Sequence, residues 1–321
     1  MRPLSPRLRN LLRLGCLYPA FFVLFFVVGV YWTFPYGHLK EFLIQEVTRS
    51  GQVRLVIESL SPSWVTGVTA RGVEVTMDDG SIEGPIAPLV IPRATARLSL
   101  LSLLTGWTDV GYDVELSGGG RAVGRYAQSD TGVIVEADLE QVDLRRLPPL
   151  RTATGIPFTG RLEGTVDLSI GEEPENTEGT ADLSILGLSV FDGQTPLKIP
   201  GMAGAGLTLE PMRLGTLELQ LAAEEGIATI DRLQADGPDA GLVGEGALRL
   251  LRPPTRSTID AFIEVEFKDE YRTSSDRMTG LFAVLEANPA VRPARTPDGH
   301  FRWRIQGSLG GSLRTQPAGN R

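Results

Sequence analysis

Between residues 51 and 314, apolar and polar residues alternate one by one in short runs that are separated by glycine-containing turns. Successive side chains of a β-strand point to opposite faces, so this period of two predicts strands with one apolar and one polar face. Clear examples are Val53/Leu55/Ile57, Val73/Val75/Met77, Val110/Tyr112/Val114, Leu217/Leu219/Leu221, Ile259/Ala261/Ile263 and Phe301/Trp303/Ile305. About a dozen such runs at close spacing predict an all-β, mostly antiparallel architecture with one solvated face.

Three of these runs resemble one another. Residues 160–168 read Gly-Arg-Leu-Glu-Gly-Thr-Val-Asp-Leu, and similar glycine-led strands follow at 178–183 and 215–219. Neighbouring strands with one repeated pattern are typical of a sheet that grows by addition of like units. We therefore expect an elongated, curved sheet over an apolar inner face. The side chains expected to be buried against that face are Trp64, Phe301, Trp303 and Ile305.

Short segments that break the alternation of apolar and polar residues predict the connections between strands. Helical patterns occur at residues 100–104 and 280–286, and Asp78-Asp79-Gly80 is interpreted as a hairpin turn. The Pro-Pro pair at 148–149 is a possible subdivision of the β domain. The polar tail, residues 315–321, is expected to be disordered, as chain termini often are.

An uncharged and largely apolar run of 21 residues, 14–34, precedes the alternating region. A helix of this length crosses the ~30 Å hydrocarbon core of a bilayer. Four arginines and no acidic residue precede the run, so the positive-inside rule predicts that residues 1–13 are cytoplasmic and that the chain after the run is exported. We expect a single-pass membrane protein whose main domain, residues 51–314, lies outside the cytoplasm.

A cleaved signal peptide is the alternative interpretation of the run. Secretory signals have an apolar stretch of ~7–15 residues that is followed by small residues. This run is longer and ends in Tyr31, Trp32 and Phe34, which resemble an aromatic belt at the membrane surface. A lipoprotein site at Cys16 is disfavoured because the apolar stretch follows the cysteine instead of preceding it. The sequence therefore favours an uncleaved anchor.

A short amphipathic helix is expected within residues 35–50, between the anchor and the sheet. The apolar residues at helical spacing are Leu39, Phe42, Leu43 and Val47. This helix either plugs one end of the β structure or lies flat on the membrane. Glu41 and Glu46 disfavour the second arrangement because anionic lipid repels them.

The exported part is acidic and contains no cysteine. After residue 39 there are 27 basic and 39 acidic residues, a net charge near −12, and the one cysteine of the chain is Cys16. A strong negative charge opposes binding to nucleic acid or to anionic headgroups through a basic patch. The absence of cysteine from the β domain excludes disulfides and thiol nucleophiles there.

No catalytic, cofactor or metal motif stands out in the sequence. HExxH, CxxC, GxxxxGK[ST] and GxSxG patterns are all absent. His300 precedes a strong strand and is interpreted as a turn residue, and Asp78-Asp79-Gly80 lacks the acidic residue that would close a calcium loop. The acidic pairs Glu172-Glu173 and Glu224-Glu225 are interpreted as solvated loop residues. We therefore expect no enzymatic activity, no catalytic or metal-binding residues and no cofactor.

A resemblance to a known family rests on several strand-and-turn stretches. They are Ser59-Leu60-Ser61-Pro62-Ser63-Trp64-Val65-Thr66-Gly67-Val68 with the strand after it, residues 98–106, residues 226–233 running on to 244–250, and the closing residues 298–310. Together with the anchor and the short helix, these stretches resemble the type II secretion system protein N family in its high-GC bacterial form.

The resemblance implies an accessory or structural component of the type II secretion apparatus that is anchored in the inner membrane. Its partners would be other components of that apparatus, and it implies no catalytic residues. Similar strand patterns occur in AsmA-like envelope proteins, whose β structures form apolar grooves for lipid. A periplasmic lipid-binding or lipid-transfer protein is therefore the alternative function.

Overall fold

The computed structural model of the protein describes residues 36–49, 53–64, 66–77, 88–99, 102, 106–147, 156–173, 176–195, 208–251, 256–308 and 313–319. Within these residues, fourteen strands form one open sheet in which each strand pairs with the next one along the chain. All the pairs are antiparallel. The predicted all-β, antiparallel architecture is confirmed.

The strands are β1 Val53–Ser63, β2 Gly67–Met77, β3 Leu89–Leu98, β4 Thr108–Glu115, β5 Arg121–Gln128, β6 Gly132–Asp143, β7 Phe158–Gly171, β8 Glu178–Val190, β9 Met212–Glu224, β10 Ile227–Asp236, β11 Ala240–Arg249, β12 Thr258–Phe267, β13 Phe301–Ser308 and β14 Leu313–Pro317. The helices are α1 Tyr36–Thr48, α2 Asp269–Arg272 and α3 Asp276–Ala287, with 3₁₀ turns at Leu144–Arg146 and Arg292–Ala294.

Connections alternate between the two ends of the sheet because each strand runs opposite to its neighbours. One end, here called the helix end, holds the β12–β13 connection and with it α2 and α3. The other end, called the turn end, holds the β1–β2, β3–β4 and β5–β6 connections. The sheet does not divide near residues 148–149, since β6 and β7 pair from Gly132↔Gly171 to Asp143↔Arg161.

Each strand contributes to two faces of opposite character. The strand register places on one face, called the apolar face, residues such as Ala96, Tyr112, Gly124, Val135, Val166, Leu183, Leu219, Leu242, Ile263 and Trp303. The other face, called the polar face, carries Arg97, Asp109, Asp113, Arg125, Glu136, Asp167, Asp182, Glu218, Asp260 and Arg304.

The main hydrophobic core lies at the helix end of the apolar face. There α3 packs Met278 and Phe282 against strands β8 to β13, and Met278 is fully buried. Ser275 caps α3, because its hydroxyl accepts a hydrogen bond from the Met278 backbone N–H. Phe282 meets Phe267 edge to face, with 5.0 Å between the ring centroids. The helices thus cover the apolar face at the helix end of β8 to β13.

Two predictions about single segments are wrong. Trp64 was expected to be buried, but it is 79% exposed, because it lies in the β1–β2 turn with a positive φ of 57° instead of in a strand. The tail from Thr315 was expected to be disordered, but Thr315 to Pro317 belong to β14 and pair with β13. Of the other aromatic residues expected inside, Phe301 is buried and Trp303 is half-buried, as is Ile305.

Other predictions concern the N-terminal region and the turns. Helix α1 occupies the region where a short helix was expected, and the Lys40 ammonium donates a hydrogen bond to the Glu58 carbonyl of β1 at 3.1 Å. Within the described residues, no helix is long and apolar enough to cross a membrane. The predicted anchor at 14–34 and the predicted turn at 78–80 lie outside those residues, as does most of the predicted helical segment 100–104.

Candidate functional surfaces

Pairs of arginine and aspartate bridge neighbouring strands on the polar face. Arg121 of β5 binds Asp113 of β4 through two parallel hydrogen bonds of 2.9 and 2.8 Å. Arg125 binds Asp109 in the same way, at 2.8 and 3.0 Å. The hydrogen bonds from the guanidinium groups hold the pKa of both carboxyl groups below the usual range.

The same pairing recurs in the second half of the sheet. Arg304 of β13 holds Asp260 of β12, and the Arg232 guanidinium lies 2.8 Å from Glu218. Arg302 likewise binds Glu245. Exposed pairs of this kind contribute at most about 1 kcal/mol each. Their main consequence is that the charges of these pairs are neutralised locally on a solvated surface.

Three arginines on β2 and β3 depart from this pattern. In the region that the structure describes, Arg71, Arg93 and Arg97 form no ion pair. Arg71 lies directly opposite Arg93 in the register, a like-charge arrangement that destabilises a sheet. Arg93 and Arg97 line an open cleft of about 530 Å³ together with Ser63, Thr95, Glu115 and the paired Asp113 and Arg121, and Glu115 lies opposite Arg93 in the register. Three basic and two acidic side chains line this cleft, so a small excess of positive charge exists within an acidic domain.

An acidic cleft lies a few strands away on the same face. Its volume is about 610 Å³, and Asp138, Glu140, Glu163 and Asp182 are among the residues that line it. Across the described ranges, no group of three or more His, Cys, Asp or Glu residues is arranged to hold a metal ion. The cleft is thus a concentration of negative charge without the geometry of a cation site.

The apolar face of β3 to β6 is the second candidate binding surface. In β3, β4 and β5, all of whose residues are described, no apolar side chain is fully buried, and none belongs to the main core. The face mixes alanines and glycines with valines and tyrosines, and the Tyr112 ring lies across Gly124 so that its hydroxyl donates to the Glu136 carbonyl at 2.9 Å. This half of the apolar face could accommodate an apolar ligand.

His300 is held by carboxylates at the start of β13. Its Nδ1 lies 2.7 Å from a Glu264 oxygen, and its Nε2 lies 4.0 Å from Glu266. It also closes a turn, because its backbone N–H donates to the Thr296 hydroxyl. Among the described contacts, two acidic side chains surround the ring, which fixes the imidazole in place and does not activate a hydroxyl nucleophile.

The acidic pairs predicted to be solvated lie where expected. Glu172 and Glu173 are exposed after β7, and Glu224 and Glu225 are exposed at the β9–β10 turn. Each pair follows a strand at the turn end of the sheet. Neither pair lies among the residues that line the two clefts.

Comparisons with known protein families, curated proteins and solved structures found no match. The function has to be inferred from the surfaces themselves and from the sequence resemblance. Sequence reasoning missed the arginine cluster because the net charge of the domain concealed it. The signal that could have found it is the spacing of Arg93 and Arg97, which places both side chains on one face of a strand.

Proposed function

We propose that the protein is an accessory component of a type II secretion system, anchored in the inner membrane and acting in the periplasm by binding rather than by catalysis. The observation that supports this proposal is where the resembling stretches lie. Residues 59–75 form the β1–β2 hairpin, residues 226–250 span the β10–β11 hairpin, and the closing stretch contains β13. The resemblance thus follows the framework of one long sheet, which we propose to be elongated and curved.

A long sheet of this kind suits a binding role. It presents two extended faces of different chemistry, and among the described strands β1 and β14 each pair with one neighbour, so they form the edges at which another chain could add a strand. Binding partners in the apparatus would contact these faces or edges. The proposed anchor would act mainly as a tether that raises the concentration of the sheet at the membrane surface.

A deletion and complementation experiment tests the proposal. Loss of the gene should reduce release of type II substrates into the medium and leave them in the periplasm, and the wild-type gene should restore release. Val73→Asp should fail to complement because it buries an unpaired charge in β2. The matched control is Val243→Asp, whose side chain is exposed on the polar face of β11. Unchanged secretion in the deletion strain would contradict the proposal.

The second candidate function is binding of a lipid chain. The observation that favours it is the half-buried apolar face of β3 to β6, since no residue of β3, β4 or β5 belongs to the main core. A photocrosslinking amino acid at position 135, on the apolar face, should capture phospholipid in cells. The same group at position 134, on the polar face of the same strand, is the control. Equal capture of lipid at both positions, or at neither, would contradict this function.

A further inference from the structure

One corner of the sheet exposes an unusual amount of apolar surface. Trp64 is 79% exposed in the β1–β2 turn, Trp107 is 56% exposed just before β4, and Leu98 is 40% exposed at the end of β3. The Leu98 backbone N–H donates to the Thr66 carbonyl at 3.2 Å, which ties the β1–β2 turn to the end of β3. These three side chains form the aromatic corner, and it lies at the turn end of the sheet.

The aromatic corner differs from the other connections at the same end. The β5–β6 turn carries Ser129 and Asp130, and acidic pairs follow β7 and β9. Exposed apolar residues that occur singly need no explanation, but a cluster of large ones marks an interaction site. Tryptophan is the residue that most favours the headgroup region of a bilayer, where the indole ring is partly apolar and its N–H is hydrated.

A cleft lined by Arg93, Arg97 and Arg121 against Asp113 and Glu115, with a small excess of positive charge, lies beside this corner. Arg97 pairs in register with Gly67, next to the β1–β2 turn, and a Cβ on Gly67 would approach the Arg97 Cγ to 2.9 Å. The arginine stem therefore lies over Gly67. Arg93 lines the same cleft. Guanidinium groups bind phosphate with two parallel hydrogen bonds, so arginines beside exposed tryptophans suit a lipid headgroup.

The direction of α1 places its first residue towards the turn end of the sheet, on the same side as the aromatic corner. Lys40 of α1 contacts Glu58 of β1, although α1 leads directly into the start of β1. The helix therefore runs back along the strand, and its first residue, Tyr36, lies towards the turn end. With a rise of about 1.5 Å per helical residue, Tyr36 is roughly 6 Å closer to the aromatic corner than Lys40. The segment that precedes it is the apolar run 14–34.

We propose that the aromatic corner docks into the headgroup region of the bilayer, with Trp64, Leu98 and Trp107 inserted and Arg93 and Arg97 bound to lipid phosphate. The inference rests on the proposed membrane anchoring of residues 14–34. Docking fixes the orientation of the sheet: the corner of β1 to β4 faces the membrane, and the helix end projects away from it. The acidic turns after β7 and β9 limit contact with anionic lipid to this one corner.

Fluorescence quenching by brominated lipid tests the docking. The full chain is reconstituted into vesicles of phosphatidylcholine and phosphatidylglycerol, in four variants that each keep one of Trp32, Trp64, Trp107 and Trp303 and carry phenylalanine at the other three positions. Trp64 and Trp107 should be quenched to an extent comparable to Trp32. Trp303 should retain its emission, because it stacks on the buried Phe301 within the core.

The four probes separate the docking from the anchor. If Trp32 is quenched while Trp64 and Trp107 behave like Trp303, the anchoring is supported and the docking is wrong. A corner that binds a protein instead of lipid would give this result. If Trp32 is not quenched, the anchoring is wrong. Circular dichroism of each variant verifies that the sheet is intact.

A charge-reversal variant tests the role of the arginines. Arg93→Glu with Arg97→Glu should reduce the quenching of Trp64 in vesicles that contain phosphatidylglycerol. The control is Arg249→Glu, an exposed arginine on β11 that is many strands away from the corner. Equal quenching in the Arg93/Arg97 variant and in the control would overturn the arginine contribution.

Discussion

Strands β3 to β6 and strands β8 to β13 contribute to the same apolar face of the sheet, but the two regions differ in how that face is covered. At the helix end of β8 to β13 the face is covered by α3, and its core residues Phe301, Met212 and Ala240 are buried. Over β3 to β5 the equivalent positions are only half-buried. The difference comes from a single insertion: the chain between β12 and β13 forms two helices that fold over the sheet. An alternating strand thus specifies an apolar face without specifying what covers it.

The two regions also differ in the side chains they use. The covered half carries large residues that interlock with the helix, such as Phe267 and Phe301 at a ring distance of 5.8 Å. The half over β3 to β6 mixes alanines and glycines with valines and tyrosines, and Tyr112 fills the space above Gly124 from the neighbouring strand. A face that no helix covers can bind an apolar chain, whereas interlocked aromatic rings leave no room for one.

The largest expected effect comes from the core of the covered half. Phe282→Ala should lower the free energy of unfolding by about 4 kcal/mol, because the ring is 3% exposed and its removal leaves a cavity. Val284→Ala, on the exposed side of the same helix, should change it by less than about 0.5 kcal/mol. Val135→Ala, on the half-buried face of β6, should cost about 1 kcal/mol. Urea denaturation measures all three.

This experiment tests whether the two regions of the apolar face differ in burial. A cost for Val135→Ala as large as that for Phe282→Ala would mean that the apolar face of β3 to β6 is fully buried in solution.

A pair of glycines probes the packing of the half without helices. A Cβ on Gly124 would lie 2.0 Å from the Glu136 carbonyl oxygen and 2.5 Å from the Tyr112 hydroxyl oxygen. Gly124→Ala should therefore cost about 3 kcal/mol through overpacking. Gly111→Ala is the matched control on β4, since its nearest neighbour would be 3.9 Å away. Thermal unfolding compares the two, and equal stability of both variants would show that Tyr112 does not pack across Gly124.

A third comparison concerns two arginine–aspartate pairs that differ in burial. Asp239, which is 7% exposed, accepts hydrogen bonds from the Arg213 guanidinium at 2.9 and 2.7 Å and from its backbone N–H at 2.8 Å. Asp239→Ala should cost about 2 kcal/mol, since it removes charge-assisted hydrogen bonds. Asp109→Ala removes a more exposed pair and should cost less than about 1 kcal/mol.

Acid should remove both contributions. Guanidinium hydrogen bonds lower the pKa of Asp239 and Asp109 in the folded protein, below the ordinary value of 3.8. The stabilisation is therefore complete above about pH 4 and is lost as the pH falls through the lowered pKa. Denaturation at pH 7 and at pH 3 should show a smaller difference between Asp239→Ala and wild type at the lower pH. A difference that grows in acid would contradict the assignment.

Much of the fold follows from local pattern. The alternation of Ile259, Ala261 and Ile263 predicted β12 and its apolar face, and the helical spacing at 280–286 predicted most of α3. Neither prediction requires knowledge of a partner segment, because period and capping are local properties. The sequence also predicted that His300 lies in a turn, as it does.

The candidate surfaces could be predicted far less well. Arg304 and Asp260 are 44 residues apart in the chain, and the register of two strands brings them together. The repulsion between Arg71 and Arg93 depends likewise on the register of β2 and β3, which places the two residues opposite each other. Trp64 was expected to be buried against the apolar face, but the turn geometry after β1 decides its exposure.

The sequence by itself determined most of the strands and the chemistry of their faces, because a period of two is a property of the backbone. Tertiary structure decided which part of the apolar face the helices cover, which arginines form ion pairs and which tryptophans are exposed. The physical reason is that these features depend on contacts between distant segments. Such contacts are set by strand register and by the return path of the chain over the sheet.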